Sequence, residues 1–293
     1  MELSSEQIAA RLVGAAFALS IGCTIFLLLA EAWRPLTGLR HTLRRRWLAN
    51  LWVFAIASVI QRGLGALSLF SLALLAADRG WGLFHRWELP IPLVFAASIL
   101  AVDLAGYTVH RLSHRVPLLW RMHRLHHSDP DVDVTTSFRF HPFEVVLRLL
   151  VLGAAVLAVG ALPLAVAAYI AFAAVDSVLS HANLRLPRAL DRALGLVALT
   201  PEMHRTHHSI DFADSHSNFG VCLTVWDRIF RTFRVRPTLG HEMILFGVDG
   251  RTARDATSIL GMLADPFLPE GPAAVRERSD SNTANPVTVP RGS

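Results

Sequence analysis

The chain has 293 residues, 53% of them hydrophobic and 17% charged, with a mean hydropathy of +0.42. That composition excludes an ordinary soluble domain and puts a membrane protein first. All 28 basic residues are arginine, so the net charge of +5 is a guanidinium charge that burial does not neutralise. Such a charge suits nucleic acid or anionic lipid headgroups. Beside long apolar runs, arginines flanking membrane helices account for it better, and no nucleic acid is expected as a partner. The two cysteines, Cys23 and Cys222, build neither a disulfide framework nor a thiolate site, so any metal here must use nitrogen and oxygen.

Residues 8–30, interrupted only by Arg11, are long enough to cross a bilayer, which takes about 20 residues. Glu2 and Glu6 ahead of this run do not fit the positive leading region of a secretory signal, so a retained helix is expected. The basic run Leu39 to Trp47 follows. Residues 48–77 form a second span, weakened in the middle by Gln61, Arg62 and Gly63, where a kink or a bundle-facing polar patch is expected. A loop, residues 78–88, leads to a third span at 89–109. Glu144 to Ser180 is too long an apolar stretch for one helix, and Gly160 and Pro163 split it into a tight hairpin. Gly271 to Ser293 has little to bury and reads as a disordered tail.

The expected fold is all-α: an integral membrane helical bundle of about four to five spans with a cytoplasmic histidine-rich helical cap. Its parts are N-terminal spans and a basic loop (1–88), a histidine-box domain containing the hairpin (89–240), a cytoplasmic segment (241–270) and the tail (271–293). Arg44, Arg45 and Arg46 are expected in the cytoplasm by the excess of positive charge there, which brings the third span back near His110 and the hairpin back near His181. The metal site then faces the cytoplasm of a bacterial inner membrane, with the 78–88 loop on the other side.

Eight of the 14 histidines fall in three clusters: His110 and His114 in HRLSH, His123, His126 and His127 in HRLHH, and His204, His207 and His208 in HRTHH. An H-x-x-H-H arises by chance about 0.03 times in a chain of this length and histidine content, yet it occurs twice, in heptads MHRLHHS and MHRTHHS that differ at one place. On a helix, residues three and four apart share a face, so each box is expected to point its imidazoles one way. A lone histidine is most often a core or interface residue. Packing alone gives no reason for imidazole at every position of three helical faces. One ion takes about four to six ligands, so this number of imidazoles implies two ions. Pro117, Asp129-Pro130 and Thr200-Pro201 mark the helix ends around the boxes.

His181, at the mouth of the hairpin, is the candidate ninth ligand; His141 is expected only to orient a ligand, His216 is a weak candidate, and His41, His85 and His241 read as solvated. Imidazole ligands need acceptors for their second ring N–H. Asp103, seven residues before His110 on the same helical face, and Asp176, before His181, are the expected acceptors, and Asn218 is a further supporting candidate.

At these residues the chain resembles the fatty acid hydroxylase and sterol desaturase superfamily, marked by HxxxH, HxxHH and a second HxxHH on membrane-bound helices. The resemblance covers about Asp103 to Phe233, including HHSDPDVDVTTSFRFHPFE and the closing NFGVCLTVWDRIFRTF. In the closing motif, Asn218, Gly220, Trp226, Asp227 and Phe230 stand where the family has its own Asn, Gly, Trp-Asp and Phe. It implies a non-haem di-iron centre, dioxygen as oxidant, a lipid substrate (fatty acyl, sterol or related) and electrons from a separate redox protein. In this reading the eight clustered histidines are catalytic as metal holders. Two departures stand out: only His181 is available where some branches carry a further HxxxH, and Arg231 follows Phe230 where the family usually has Gly.

Hydroxylation and desaturation begin with the same hydrogen abstraction, and hydroxylation or a related monooxygenation is the expected outcome. A zinc membrane hydrolase would want HExxH, which is absent, and a glutamate inside a histidine cluster. A metal transporter or sensor would place ligands deep along several spans, whereas these gather at span ends.

Overall fold

The computed structural model describes residues 5–38, 43–238, 240–241, 243–252 and 256–269. His41 and the tail from Gly271 lie outside them. The described residues are helical, with only two isolated β-bridges, Ala198 to Leu223 and Ser209 to Phe246.

α1 (Ser5–Trp33) presents Phe17, Phe26 and Leu29 outward and packs along α7, introduced below. The expected second span is broken. α2 (Leu43–Gly63) ends two residues after Gln61, a 3₁₀ turn spans Gly65–Leu67, and α3 (Leu69–Arg79) starts behind the Ser68 cap. The polar residues and glycines at 61–65 interrupt the helix, and the chain turns there with Gln61, Arg62, Gly63 and Gly65 exposed, so a kink forms and not a bundle-facing polar patch. α4 (Ile91–Arg115) runs unbroken through His110 and His114, and α5 (Pro117–His127) starts at a proline that needs no hydrogen-bonding N–H there. α6 (Pro142–Val159) and α7 (Pro163–Ser180) are the two arms of the hairpin, separated by the left-handed Gly160. Among the described residues four helices are long and apolar enough to cross a membrane: α1, α4, α6 and α7.

Shorter helices form the cap: α8 (Arg188–Leu194), α9 (Pro201–His207), α10 (Phe212–Ser215), α11 (Val225–Ile229) and α12 (Ile259–Ala264). Thr200 precedes α9 as expected, but its side chain makes no cap bond.

The ends of the bundle are fixed by two contacts. The turn after α3 sits on the hairpin tip, where a Cβ on Gly82 would collide with the backbone N of Gly160. At the other end of α6, roughly 25 Å away at 1.5 Å per residue, Glu144 reaches His123. The 78–88 loop and the histidines therefore occupy opposite ends.

Arg46 is fully buried at the histidine end, not a solvated loop residue. It bonds Asp129 at 3.1 Å, the Asp131 carbonyl at 2.8 Å and the Asp133 carboxylate. Burial works against its charge, but Asp129 and Asp133 outweigh that and hold its pKa above the ordinary value. Arg139, equally buried, ties Asn50, Ser128 and the Leu125 carbonyl at 2.8–2.9 Å. These bonds clamp the DPDVD stretch onto α2 just beyond the second histidine cluster. Asp265, next to α12, receives Arg124 at 2.8 Å and Arg251 at 2.7 Å, closing the cap over α5.

Candidate metal centre

The structure brings nine histidines into two adjoining groups. His110, His114, His123, His127 and His207 form one, and His126, His181, His204 and His208 the other; within each, one ring nitrogen per residue lies within 4.8 Å of all the rest. All nine are buried. The groups touch through His127 and His208, whose rings stack at 4.5 Å.

Each HxxHH box is shared between the groups, contrary to the expectation that its rings point one way. Adjacent residues on a helix stand about 100° apart, so the last two histidines of a box diverge. α5 sends His123 and His127 to the first group and His126 to the second; α9 sends His204 and His208 to the second and His207 to the first. The two boxes are thus reciprocal. α4 completes the five-membered group, and His181, the C-cap of α7, completes the other, which has one donor fewer.

Hydrogen bonds at the outer ring nitrogens fix which nitrogen faces inward. His110 Nδ1 donates to the Phe219 carbonyl at 2.9 Å, His207 Nδ1 to the Ser217 carbonyl at 2.7 Å and His181 Nδ1 to the Ser177 carbonyl at 2.7 Å. His123 Nδ1 donates to Glu144 Oε1 at 2.7 Å. Carbonyls and carboxylates only accept, so in all four rings the proton is on Nδ1 and the lone pair is on Nε2. In the first group Nε2 of His110, His123, His127 and His207 is buried without a partner. In the second, Nε2 of His126 and of His204 stand 3.2 Å and 2.9 Å from His181 Nε2, which has no proton to offer. Buried acceptors converging on one point are costly unless a cation sits among them, and an all-imidazole set suits iron, zinc or copper. The residues fit two metal ions.

Six of these rings are held neutral. Burial, reinforced by neighbouring imidazoles, pushes His126, His127, His204 and His208 well below the usual histidine range. Burial likewise takes His207 down to about 3 and His181 to about 4.

The expected supporting residues do other things. Asp103 accepts from the Trp226 indole at 2.9 Å, not from an imidazole, because seven residues along α4 carry it too far below His110. Asp176 is buried and bonds none of the nine rings. Asn218 hydrogen-bonds no ring; its side chain ties the Met203 and Arg234 carbonyls, and its left-handed backbone, φ 53°, aims the Ser217 and Phe219 carbonyls on either side of it at His207 and His110. His141 caps α6 through the Phe143 N–H, and so acts on the helix that carries Glu144. His216 lies 5.6 Å from His114, ring to ring, outside both groups; His85 is exposed, and His241 faces Glu202 at 3.5 Å. The carboxylate that sequence reasoning missed is Glu144, whose only local signal is its place in HPFE.

The closing motif holds this loop in shape. Asp227 accepts from the Phe219 and Gly220 N–H groups at 2.8 Å each and from Thr232 at 2.6 Å. Arg231, in the place where the family usually has Gly, keeps the left-handed backbone with φ 58°.

Residues 95–232 match the family model described as fatty acid hydroxylase. This part of the chain is similar to that family. The ornithine lipid hydroxylase OlsE of Rhizobium tropici is 32% identical over 190 residues, 64% of this chain and 55% of that protein. Alkylglycerol monooxygenase of Homo sapiens is 26% identical over 170 residues, 57% and 36% of the two chains. Fatty acid hydroxylase vlmA of Lecanicillium sp is 28% identical over 163 residues, 50% and 43%. These matches cover between 36% and 55% of the relatives' own lengths. No solved structure matches.

Proposed function

We propose that this chain is a membrane-bound di-iron oxygenase that hydroxylates a C–H bond of a lipid. The reading rests on one observation above all: nine buried imidazoles turn their bare nitrogens toward two adjoining points at the head of a cavity of about 410 Å³. His110, His123, His126, His181 and His204 line that cavity, and Leu69, Leu149, Leu152 and Val221 carry it down among the spans. The names of the relatives, two lipid hydroxylases and a monooxygenase, support the same reaction class.

When bound, two iron ions would supply the electron-transfer chemistry that lets dioxygen attack an unactivated C–H bond. The overall reaction balances as R–H with dioxygen, two electrons and two protons giving R–OH and water, the electrons coming from a separate redox protein. The protein's own part is positional. Glu144 and the carbonyls of Ser177, Ser217 and Phe219 lock the tautomers, the apolar wall keeps water from the reacting carbon, and the cavity decides which carbon lies against the histidines. The proposed site lies on the cytoplasmic side of the membrane, since Arg44 and Arg45, both exposed, share the histidine end of the bundle.

The test is metal analysis of the purified protein together with lipid analysis of cells that express it. Two irons per chain and a dioxygen-dependent hydroxylated lipid are expected. Zinc alone, with no dioxygen consumed, would reject the oxygenase in favour of a hydrolase or a metal-binding role.

A further inference from the structure

Arg148 stands inside a membrane-spanning helix, one turn along α6 from Glu144, and lines the cavity that the histidines head. A fixed positive charge at such a place is expensive and is retained where a partner or a polar cavity takes it up. Its neighbours do this incompletely. Glu144 Oε1, spent on His123 at 2.7 Å, is 4.0 Å from the Arg148 guanidinium, beyond hydrogen-bond reach. The Phe140 ring lies 5.5 Å beneath it. Among the described residues the guanidinium makes no hydrogen bond, and its fork of N–H donors is left facing the cavity. Gln61, exposed at the end of α2, lines the same cavity. Apart from the histidines, Ser177 and Ser180, the remaining wall is apolar, and about 410 Å³ suits a small-molecule-sized portion of a ligand rather than a whole long-chain lipid.

We propose that Arg148, with Gln61, anchors the head group of the lipid substrate: the cavity takes a single-chain lipid whose phosphate or carboxylate pairs with the guanidinium, so the carbon presented to the histidines lies within a few bonds of that anion. This deepens the oxygenase reading and rests on it for the word substrate; the binding itself does not. One helical turn is about 5.4 Å, so anchor and histidines are too close for the oxidised carbon to sit far down the chain. The rest of the chain runs along the Leu149, Leu152 and Val221 wall toward the spans. The anion also supplies a counter-charge that no carboxylate in the cavity provides.

The experiment measures binding of three probes to the full-length protein in nanodiscs with its metals in place: oleoyl lysophosphatidic acid, oleic acid and neutral monooleoylglycerol. The wild type, Arg148→Gln and Arg148→Lys are compared, with metal content measured for each. Wild-type protein should bind at least one anionic probe about tenfold or more tighter than the neutral one. Which anionic probe wins tells phosphate from carboxylate. Arg148→Gln should remove that preference while leaving neutral-lipid binding and metal content unchanged, and Arg148→Lys should keep most of it. No preference in the wild type, a preference that survives Arg148→Gln, or an equal loss for all three probes with metal loss would overturn the proposal, the last by showing that Arg148 serves Glu144 instead. If the preference behaves as expected but no lipid is oxidised, the anchor stands and the oxygenase reading fails.

Discussion

Replacing Glu144 by Gln tests whether the ring of His123 is oriented for a metal. Both side chains are buried, and the 2.7 Å bond from His123 Nδ1 is the only one from any of the nine rings to a carboxylate among the described residues. Loss of such an outer partner costs about 10–100-fold in metal affinity, or about 1.4–2.8 kcal/mol at 1.4 kcal/mol per decade. In Glu144→Gln the amide oxygen can still accept, so the lower end is expected. Glu144→Leu removes the acceptor and should fall at the upper end. The assay is chelator competition on purified protein, with thermal unfolding recorded alongside. Asp103→Asn is the contrast: its partner is Trp226, so it should leave metal affinity within about twofold. Wild-type affinity in Glu144→Leu, or an equal loss in Asp103→Asn, would refute the assignment of roles.

Three other outcomes are expected. Arg46→Met leaves Asp129 and Asp133 buried without their cation and should cost about 3–5 kcal/mol in unfolding, with part recovered in Arg46→Met/Asp133→Asn; an unchanged unfolding midpoint would mean the cluster is not held by charge. Because the boxes are reciprocal, His126→Ala should weaken the four-histidine group and His207→Ala the five-histidine group, so metal titration should show opposite sites affected; identical titrations from both would show that the groups do not bind separately. In a background without Cys23, single cysteines at Arg45, Trp87 and Arg192, all exposed, should react with an impermeant reagent in intact cells only at Trp87. Labelling at Arg45 or Arg192 would invert the proposed orientation.

The hairpin was legible because Gly160 and Pro163 act on the backbone directly: one adopts φ 68°, the other cannot continue a helix N-terminally. The break in the second span was legible only as a weak point. Its apolar runs read as one span by hydropathy, and Gln61, Arg62 and Gly63 marked the place without giving the depth at which the chain turns. The burial of Arg46 could not be read at all. Its partners lie 83 to 87 residues away, and an arginine in an Arg-Arg-Arg run looks topogenic until those carboxylates are folded against it.

At the site, sequence spacing identified the histidines that converge, but the division between the groups follows from where α4, α5, α7 and α9 meet, which no box contains. The supporting shell was less legible still, for a physical reason: three of the four orienting bonds go to backbone carbonyls, which carry no residue signature. Only the residues that shape that backbone, Asn218, Gly220 and Asp227, leave one, and they read as a motif whose purpose the coordinates supply. Glu144 lies on a helix that carries no box histidine, whereas Asp103 and Asp176 share helices with His110 and the His181 cap, so spacing along the chain points to those two first. Across helices the distance is shorter. With a single carboxylate bonded to the nine rings among the described residues, two divalent cations would keep most of their charge in a buried setting, and Arg148 adds to it. An anionic ligand is therefore what this cavity is electrostatically built to receive.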